Sequence, residues 1–63
     1  MDERKGKVEF YKDKKGEYRW RLLASNGRQI ANGGEGYTSA DGCKKGFESV
    51  KSHIQNAKEE VLY

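Results

Sequence analysis

The sequence predicts a small α+β domain of order βββαβ, in which an antiparallel meander packs on one helix. Two runs in the first half of the chain alternate apolar and polar side chains with a period of two, which is typical of half-buried strands. A later run places apolar residues at the spacing of one helix face, and the last residues alternate again. These patterns predict one domain over residues 7–63, preceded by a flexible segment at residues 1–6.

The first two strands are predicted to form a hairpin across the sequence DKKG. A two-residue loop would set Phe10 opposite a charged arginine and would mix the apolar and polar faces. A three-residue loop that ends with Gly16 in the left-handed conformation instead pairs Phe10 with Trp20. We expect this second register, because it leaves one face apolar and sets Glu9 opposite Arg21.

A second turn, with the sequence Ser-Asn-Gly, is predicted to lead into a short third strand at residues 28–32. Two registers are open for this hairpin. A two-residue Asn-Gly loop sets Leu23 against Ile30, whereas a three-residue loop with Gly27 left-handed sets Leu22 against Ile30. The second keeps the apolar face continuous, and we favour it for that reason.

A glycine-rich connector at residues 32–36 leads to a helix predicted over residues 39–54. Ser39 or Thr38 is expected to cap its first turn, and the helix should stop near Asn56. One face of this helix carries an apolar stripe that should pack on the sheet. The stripe comprises Cys43, Gly46, Phe47, Val50 and Ile54.

The last residues, 58–63, are too few for a further helix and alternate in polarity. Glu59, Val61 and Tyr63 fall on one side, and Leu62 falls on the other. The pattern predicts a strand, yet no neighbouring segment remains to form a hairpin with it. These four residues are the candidate terminal strand.

The size of the chain also favours a partner. It has 63 residues, of which 33% are hydrophobic, and this is near the lower limit for a domain that folds alone. A single cysteine excludes an intrachain disulfide, and one cysteine with one histidine does not make a zinc site of nitrogen and sulfur ligands. We expect no metal and no cofactor. Burial of apolar surface against a second chain is then the expected source of further stability.

Charge and hydropathy narrow the class of protein. The net charge is +3, from 13 Lys and Arg against 10 Asp and Glu, and the two signs are interspersed. A dedicated nucleic-acid binder usually has a stronger basic bias. No apolar run is long enough for a signal peptide or a membrane span. We therefore expect a small basic cytoplasmic protein that does not associate with membranes.

Three groups of residues resemble parts of known binding or catalytic sites. Each is better explained by its role in the fold. The glycines at 33–36 lack the Gly-Lys-Ser/Thr ending of a phosphate loop. Ser49, His53 and Asp41 are the types of a hydrolytic triad, but no nucleophile elbow or oxyanion hole accompanies them. Cys43 lies on the apolar stripe, where core packing is the better explanation. We predict no catalytic residues and no enzyme.

Several segments, taken together and in order, resemble the YegP-like domain family. The resemblance extends over roughly residues 7–55, most of the chain, and the ordered combination is more specific than any single piece. The first helical turn departs from the family pattern, since Ala40 stands where the family often has Lys. The similar segments are residues 10–13 (FYKD), 16–22 (GEYRWRL), 24–27 (ASNG), 30–31 (IA), 34–39 (GEGYTS) and 46–51 (GFESVK).

The resemblance implies a βββαβ unit that occurs as a tandem repeat or as a single copy. Single copies of the family look like homodimers that form one continuous sheet and exchange C-terminal strands. This chain holds one copy, so the resemblance implies the dimeric form, with the candidate terminal strand as the strand that is exchanged. The residues of that candidate dimer strand are Glu59, Val61, Leu62 and Tyr63. The family has no established biochemical function, and it supplies no active residues.

The surface of most functional interest is the sheet face opposite the helix, which we call the open face. Its arginines and tyrosine suit either a protein contact or the stacking of single-stranded nucleic acid. We predict a non-enzymatic homodimeric interaction module, with a nucleic-acid-binding module as the alternative and an unidentified protein partner as a further expectation. The candidate residues are Tyr11, Arg19, Arg21, Leu23 and Gln29, with Ala31 and Glu9 beside them.

Overall fold

The computed structural model describes residues 5–63 and folds them into a three-stranded antiparallel sheet crossed by one helix. The strands are β1 (Lys7–Lys12), β2 (Tyr18–Leu23) and β3 (Gln29–Asn32), in the spatial order β1-β2-β3, and the helix is α1 (Ala40–Gln55). The predicted α+β class and the meander are confirmed. Of the flexible segment predicted at residues 1–6, residues 1–4 lie outside the described part of the chain.

The first hairpin has the predicted register. Phe10 pairs with Trp20, and Glu9 pairs with Arg21. Gly16 has a φ of 85°, in the left-handed region that the three-residue loop requires. Sheet pairing and turn geometry therefore agree, and β1 and β2 present one apolar face to the helix.

The second hairpin keeps its predicted turn, and it keeps the favoured register only as far as Leu23, which pairs with Gln29. Gly27 has a φ of 87°, as the three-residue loop requires. Leu22 nevertheless pairs with Ala31, because a bulge at the level of Leu22 and Leu23 shifts the ladder by one residue. Both registers considered for Ile30 are therefore wrong. Ala31, expected on the open face, lies on the helix side of the sheet instead.

The helix begins and ends close to where the sequence predicts. Ser39 is the N-cap, and its hydroxyl oxygen accepts a hydrogen bond of 3.0 Å from the backbone N–H of Gly42. Asn56 is the C-cap. Before the helix, Tyr37 forms an isolated bridge with Tyr18, and each backbone N–H donates to the other residue's carbonyl at 2.8 Å. This bridge fixes the start of α1 above the first residue of β2.

The core is concentrated under the first half of α1. Trp20 and Cys43 are the only buried hydrophobic residues among those described. The Phe47 ring packs edge-on against Trp20, at 5.2 Å between ring centroids, and against Phe10, at 5.5 Å. Ile54, the last residue of the predicted stripe, is 68% exposed. The expectation that the whole stripe is core is therefore wrong at its C-terminal end.

The cause of this exposure is the position of the helix over the sheet. α1 lies over β2 and β1, and no described Cα atom of α1 comes within 8 Å of a Cα atom of β3. All four residues of β3 are exposed. The described residues 5–63 therefore leave β3 uncovered on the helix side of the sheet.

The predicted fifth element does not form within one chain. Residues 57–63, which we call the C-terminal segment, have no regular secondary structure. The single chain is therefore βββα rather than βββαβ. The physical reason is that a strand needs a hydrogen-bonding neighbour, and the C-terminal segment pairs with neither edge of its own sheet.

Candidate interaction surfaces

The open face brings the predicted residues together on β1, β2 and β3. In the sheet ladder Tyr11 stands opposite Arg19, and Leu23 stands opposite Gln29. Tyr11, Arg19, Arg21 and Leu23 are half-buried, and Gln29 is exposed. These five residues therefore lie on one side of the sheet, and Ala31 does not.

Arg21 is held by two neighbours on β1. Its Nε donates to Glu9 Oε1 at 2.7 Å, and its guanidinium lies 4.6 Å from the centre of the Tyr11 ring. Lys7 Nζ lies 3.2 Å from the other carboxylate oxygen of Glu9. The hydrogen bond from Arg21, with a smaller one from Lys7, lowers the pKa of Glu9 below its usual value.

Arg19 is anchored in the first turn. Its Nε donates to Asp13 Oδ2 at 2.6 Å, and a terminal nitrogen lies 3.5 Å from Glu17 Oε1. Asp13 Oδ1 accepts hydrogen bonds of 2.9 Å from the backbone N–H groups of Lys15 and Glu17. The hydrogen bond from Arg19 is the largest cause that lowers the pKa of Asp13. Sequence reasoning missed Asp13, although an aspartate that opens a tight turn is a recognisable signal.

These ion pairs leave the open face without net charge. Each cation of this cluster is within salt-bridge distance of a carboxylate. Phosphate binding needs cations that are free to release counterions, and the arginines here are already neutralised. The cluster consists of Lys7, Arg19 and Arg21 with Glu9, Asp13 and Glu17.

A second surface, not foreseen in the sequence, lies between β3 and the last turns of α1. We call it the β3 groove. It is an apolar cleft of about 200 Å³ that continues into a larger cleft of about 540 Å³ beside the glycine connector. Both clefts share Trp20, Ala31, Val50 and Ile54 as lining residues. The bulge turns Ala31 toward the helix side, where it lines this groove. No sequence pattern predicts the bulge.

The floor of the groove is the indole of Trp20. Its Nε1 is buried and has no hydrogen-bond partner among the residues that the structure describes. A Cβ added at Gly33 would lie 2.5 Å from that nitrogen, so glycine permits the connector to pass over the ring. Gly33 is therefore explained by its close approach to the Trp20 ring and not by a left-handed backbone, since its φ is not positive.

Three of the candidate strand residues are the most exposed large apolar side chains within residues 5–63. Val61, Leu62 and Tyr63 are 69%, 84% and 108% exposed, and Glu59 is exposed as well. Three large apolar side chains in a row are thus exposed to water, which is unusual for a folded domain. The segment and the β3 groove are thus two uncovered apolar surfaces of the same chain.

The geometry of α1 does not assemble Ser49, His53 and Asp41 into a hydrolytic triad. His53 Nδ1 lies 2.7 Å from the carbonyl oxygen of Ser49, so this nitrogen carries the proton and donates it. It therefore cannot act as a base toward the Ser49 hydroxyl, which lies 3.5 Å away. Asp41 lies at the other end of the helix, about 18 Å along its axis from His53, and pairs with Lys45 at 3.2 Å.

Cys43 packs in the core, as predicted. It is buried, and burial raises the pKa of its thiol, so the reactive thiolate is disfavoured. Residues 5–63 contain no group of three or more His, Cys, Asp or Glu side chains able to hold a metal ion. Across the same residues, no helix is long and apolar enough to cross a membrane.

Comparison with known proteins gives a consistent set of relatives. The profile of a domain of unknown function, DUF1508, matches residues 13–60. A UPF0339 protein of Methanosarcina acetivorans is 50% identical over 56 residues, which cover 89% of this chain and 95% of that protein. A UPF0339 protein of Stutzerimonas stutzeri, described as lying in the ptx operon 5' region, is 47% identical over 58 residues, which cover 92% of this chain and 49% of that protein. The NMR solution structure of a protein from Haloferax volcanii matches with a TM-score of 0.82 and 39% identity, over 94% of this chain and 98% of that one.

Proposed function

This chain belongs to the DUF1508, or YegP-like, family of domains of unknown function, and from that premise we propose that it is a homodimeric interaction module without catalytic activity. In this proposal two copies exchange their C-terminal segments and form one continuous sheet. The folding unit is then two chains. Any binding activity belongs to the surface that the two chains make together.

The observation that carries the proposal is the mismatch between the buried core and the exposed apolar residues. Two hydrophobic residues are buried in the described chain, whereas Ile30, Ile54, Val61, Leu62 and Tyr63 are all exposed. Burying a large apolar side chain contributes roughly 1.5–3 kcal/mol. A second chain that covers these five side chains would therefore add much of the stability that the small core lacks.

A relative of about double length supports the same arrangement. The matching part of the Stutzerimonas stutzeri protein is 49% of its length, which leaves room for a second unit in one chain. Two units in one chain and a homodimer of single units can bury the same exposed apolar side chains, because each arrangement places two units side by side. The unidentified protein partner would bind the open face of the homodimer.

The open face suits a protein contact better than a nucleic acid. Tyr11 and Arg21 are held in place before a partner binds, which lowers the entropy lost on association. The same ion pairs cancel the positive charge that a phosphate backbone needs. Nucleic-acid binding therefore stays an alternative with weaker support.

The alternative is tested with fluorescently labelled single-stranded DNA and RNA at low salt. A nucleic-acid module should bind them with an affinity that falls steeply as salt rises, and Arg19→Ala with Arg21→Ala should abolish that binding. We expect no binding by the wild-type protein. Salt-dependent binding that the double variant loses would replace the present proposal for the open face.

The dimer itself is tested by gel filtration coupled to light scattering. We expect a mass near twice the 7.2 kDa of one chain at micromolar concentrations. A mass near 7.2 kDa across that range would contradict the proposal. Because no activity has to be known in advance, the result does not depend on finding a ligand.

A further inference from the structure

We propose that Asn26 is a site of spontaneous deamidation, at which the chain converts its own asparagine into aspartate and isoaspartate. The only reagent is water. The sequence contains two Asn-Gly pairs, Asn26-Gly27 and Asn32-Gly33, and the fold exposes the first while it protects the second. The inference goes beyond the proposed homodimer and does not depend on it.

The reaction joins the side chain of Asn26 to the backbone. The backbone nitrogen of Gly27 loses its proton to hydroxide and attacks Cγ of Asn26, so that a new C–N bond closes a succinimide ring. The bond between Cγ and the side-chain nitrogen breaks, and that nitrogen takes a proton from water and leaves as ammonia, which regenerates hydroxide. Water then adds to either carbonyl carbon of the ring and opens it to aspartate or isoaspartate. Nothing is oxidised or reduced.

The attacking nitrogen belongs to a glycine on the surface. A side chain on this residue would crowd the attack, and Gly27 has none. A Cβ added there would have no described heavy atom within 4 Å outside its chain neighbours, so this side of the turn is open to solvent. Ser25, Asn26 and Gly27 are all exposed. Water and hydroxide therefore reach both reacting groups.

A hydrogen bond activates the side chain that is attacked. Asn26 Oδ1 accepts a hydrogen bond of 3.0 Å from the backbone N–H of Arg28. Because this donor lies two residues further along the chain, the bond folds the side chain back over the Gly27 peptide group. The same oxygen gains negative charge when Cγ is attacked, and a backbone N–H aimed at such an oxygen stabilises the transition state.

The turn can open while the rest of the hairpin stays paired. Ring closure requires rotation within Asn26, which breaks the 2.9 Å hydrogen bond from the Gly27 N–H to the Ala24 carbonyl at the tip of the turn. The next bond of the hairpin, from the Ala24 N–H to the Arg28 carbonyl at 2.7 Å, can remain. Local opening of this kind needs much less free energy than global unfolding.

The second Asn-Gly pair is held by the core. Asn32 pairs with Arg21 in the sheet, and Gly33 donates its N–H to the Trp20 carbonyl at 3.2 Å. Gly33 is half-buried, and a Cβ added to it would lie 2.5 Å from the indole nitrogen of Trp20. Rotation at Asn32 would therefore move the connector away from a buried ring. The same dipeptide is protected here and reactive in the turn.

The product changes the second hairpin. In isoaspartate the chain continues through the former side-chain carbon, so the turn gains a backbone atom as well as a carboxylate. β3 follows this turn and has no cover from α1, so its pairing depends on the geometry of the turn. We expect isoaspartate in the turn to weaken the pairing of β3 with β2.

Tryptic mapping of the incubated protein separates the two sites. Cleavage after Arg21 and Arg28 places Asn26 in the peptide of residues 22–28 and the other pair in a different peptide. The folded protein is incubated at mildly alkaline pH in water enriched in heavy oxygen, which ring opening incorporates. Digestion in ordinary water then leaves any later reaction unlabelled.

The expected result is a difference that depends on folding. In the folded protein Asn26 should react at least about tenfold faster than Asn32, because its turn opens locally. In urea the two rates should agree within about threefold, since both asparagines precede glycine in an unfolded chain. Equal rates in the folded protein, or a faster rate at Asn32, would overturn the assignment. So would a rate at Asn26 that folding lowers by more than about tenfold.

Asn26→Gln is the matched control for the site. It keeps an amide at this position, but a larger ring would have to close, so the labelled product should disappear from the peptide of residues 22–28. Product that persists in this variant would place the reaction at another residue and would overturn the proposal.

Arg28→Pro tests the hydrogen-bond donor. Proline has no N–H, and a position just before an edge strand tolerates it. The two sites then share one peptide, and fragmentation distinguishes them. We expect the rate at Asn26 to fall by at least about threefold, the effect of one hydrogen bond, while the slow rate at Asn32 reports an intact sheet. An unchanged rate at Asn26 would overturn the role of the donor.

The modified fraction, separated from unreacted protein by its added negative charge, tests the effect on the hairpin. Asn26→Asp is its matched control, because it has the same charge on an unchanged backbone and its carboxylate can accept the Arg28 N–H. We expect the urea midpoint of the modified fraction to lie below that of Asn26→Asp. Equal midpoints would overturn the predicted effect on β3.

Discussion

Leu22 of β2 pairs with Ala31 of β3, although the alternation of the sequence favours pairing with Ile30. The shift of one residue has a large effect on the surface, because it turns the small Ala31 toward the helix side and leaves the larger Ile30 exposed. A small side chain facing the helix side leaves room beside Trp20. The β3 groove is the direct result of this pairing.

The pairing leads to a prediction about Ala31. Ala31→Glu puts a carboxylate into the apolar groove, where the second chain of the proposed homodimer would bury it, and unpaired burial of a charge is costly. We expect the dimer dissociation constant to rise by more than about tenfold, measured by light scattering or sedimentation. Gln29→Glu, on the same strand but on the open face, is the matched control and should change it by less than about threefold.

A different result would count against the groove. If Gln29→Glu weakens the dimer as much as Ala31→Glu, charge on the edge strand alone explains the effect. If neither variant weakens it, the two chains meet on another surface.

Much of the fold is predictable from the sequence, and the first hairpin illustrates why. Phe10, Trp20 and Gly16 leave one register with an apolar face, and the structure has that register. Ser39 and Asn56 bound the helix because capping is a local interaction between a side chain or backbone group and its near neighbours. These features depend on interactions between residues close together in the chain, so they can be predicted from the sequence.

The candidate surfaces are only partly predictable, because they depend on packing. The bulge beside Ile30 occurs in a strand of four residues, too short for its alternation to fix a register. Ile54 belongs to the apolar stripe by spacing, yet its exposure follows from where α1 crosses the sheet. The pair of Glu9 and Arg21 was predictable from the first hairpin and is present at 2.7 Å. The hydrogen bond from Arg19 to Asp13 joins a strand to a turn, and it could be recognised only in the structure.

Acid should weaken the first hairpin through Asp13. Arg19 and two backbone N–H groups lower the pKa of this carboxyl below its ordinary value of 3.8. A carboxyl with a lowered folded-state pKa stabilises the fold above that ordinary value, and the contribution is lost as pH falls through the lowered pKa. We therefore expect the urea midpoint of the wild type to fall more steeply than that of Asp13→Asn below about pH 4.

The asparagine variant is chosen because its side-chain oxygen can still accept the turn hydrogen bonds from Lys15 and Glu17. Glu48→Gln, on the exposed surface of α1, removes one carboxyl outside the sheet and should follow the wild-type profile. Parallel profiles for the wild type and Asp13→Asn would mean that the pair of Asp13 and Arg19 contributes nothing to stability in solution.

Gly46 should resist the substitution that usually stabilises a helix. Replacing a helical glycine by alanine generally gains up to about 1 kcal/mol. Here an added Cβ would overlap the Tyr37 hydroxyl, and it would lie 2.5 Å from the ring carbon that bears it. We expect Gly46→Ala to lower the free energy of unfolding by about 1–3 kcal/mol in chemical denaturation.

The Tyr37→Ala background separates the clash from any other cause. Once the ring is absent, Gly46→Ala should become neutral or stabilising, so the two substitutions should be strongly coupled in a double-mutant cycle. A stabilising effect of Gly46→Ala in the wild-type background would mean that the ring of Tyr37 does not pack over the helix as described.

The central claim is that the folding unit is two chains joined through their C-terminal segments, and the concentration dependence of unfolding tests it most directly. Over a hundredfold range of protein concentration, a dimer that unfolds to two chains gains about 2.7 kcal/mol of apparent stability, so its urea midpoint should rise. Deletion of residues 58–63 should lower the midpoint and remove this dependence. A wild-type midpoint that is the same at every concentration, and unchanged by the deletion, would contradict the account.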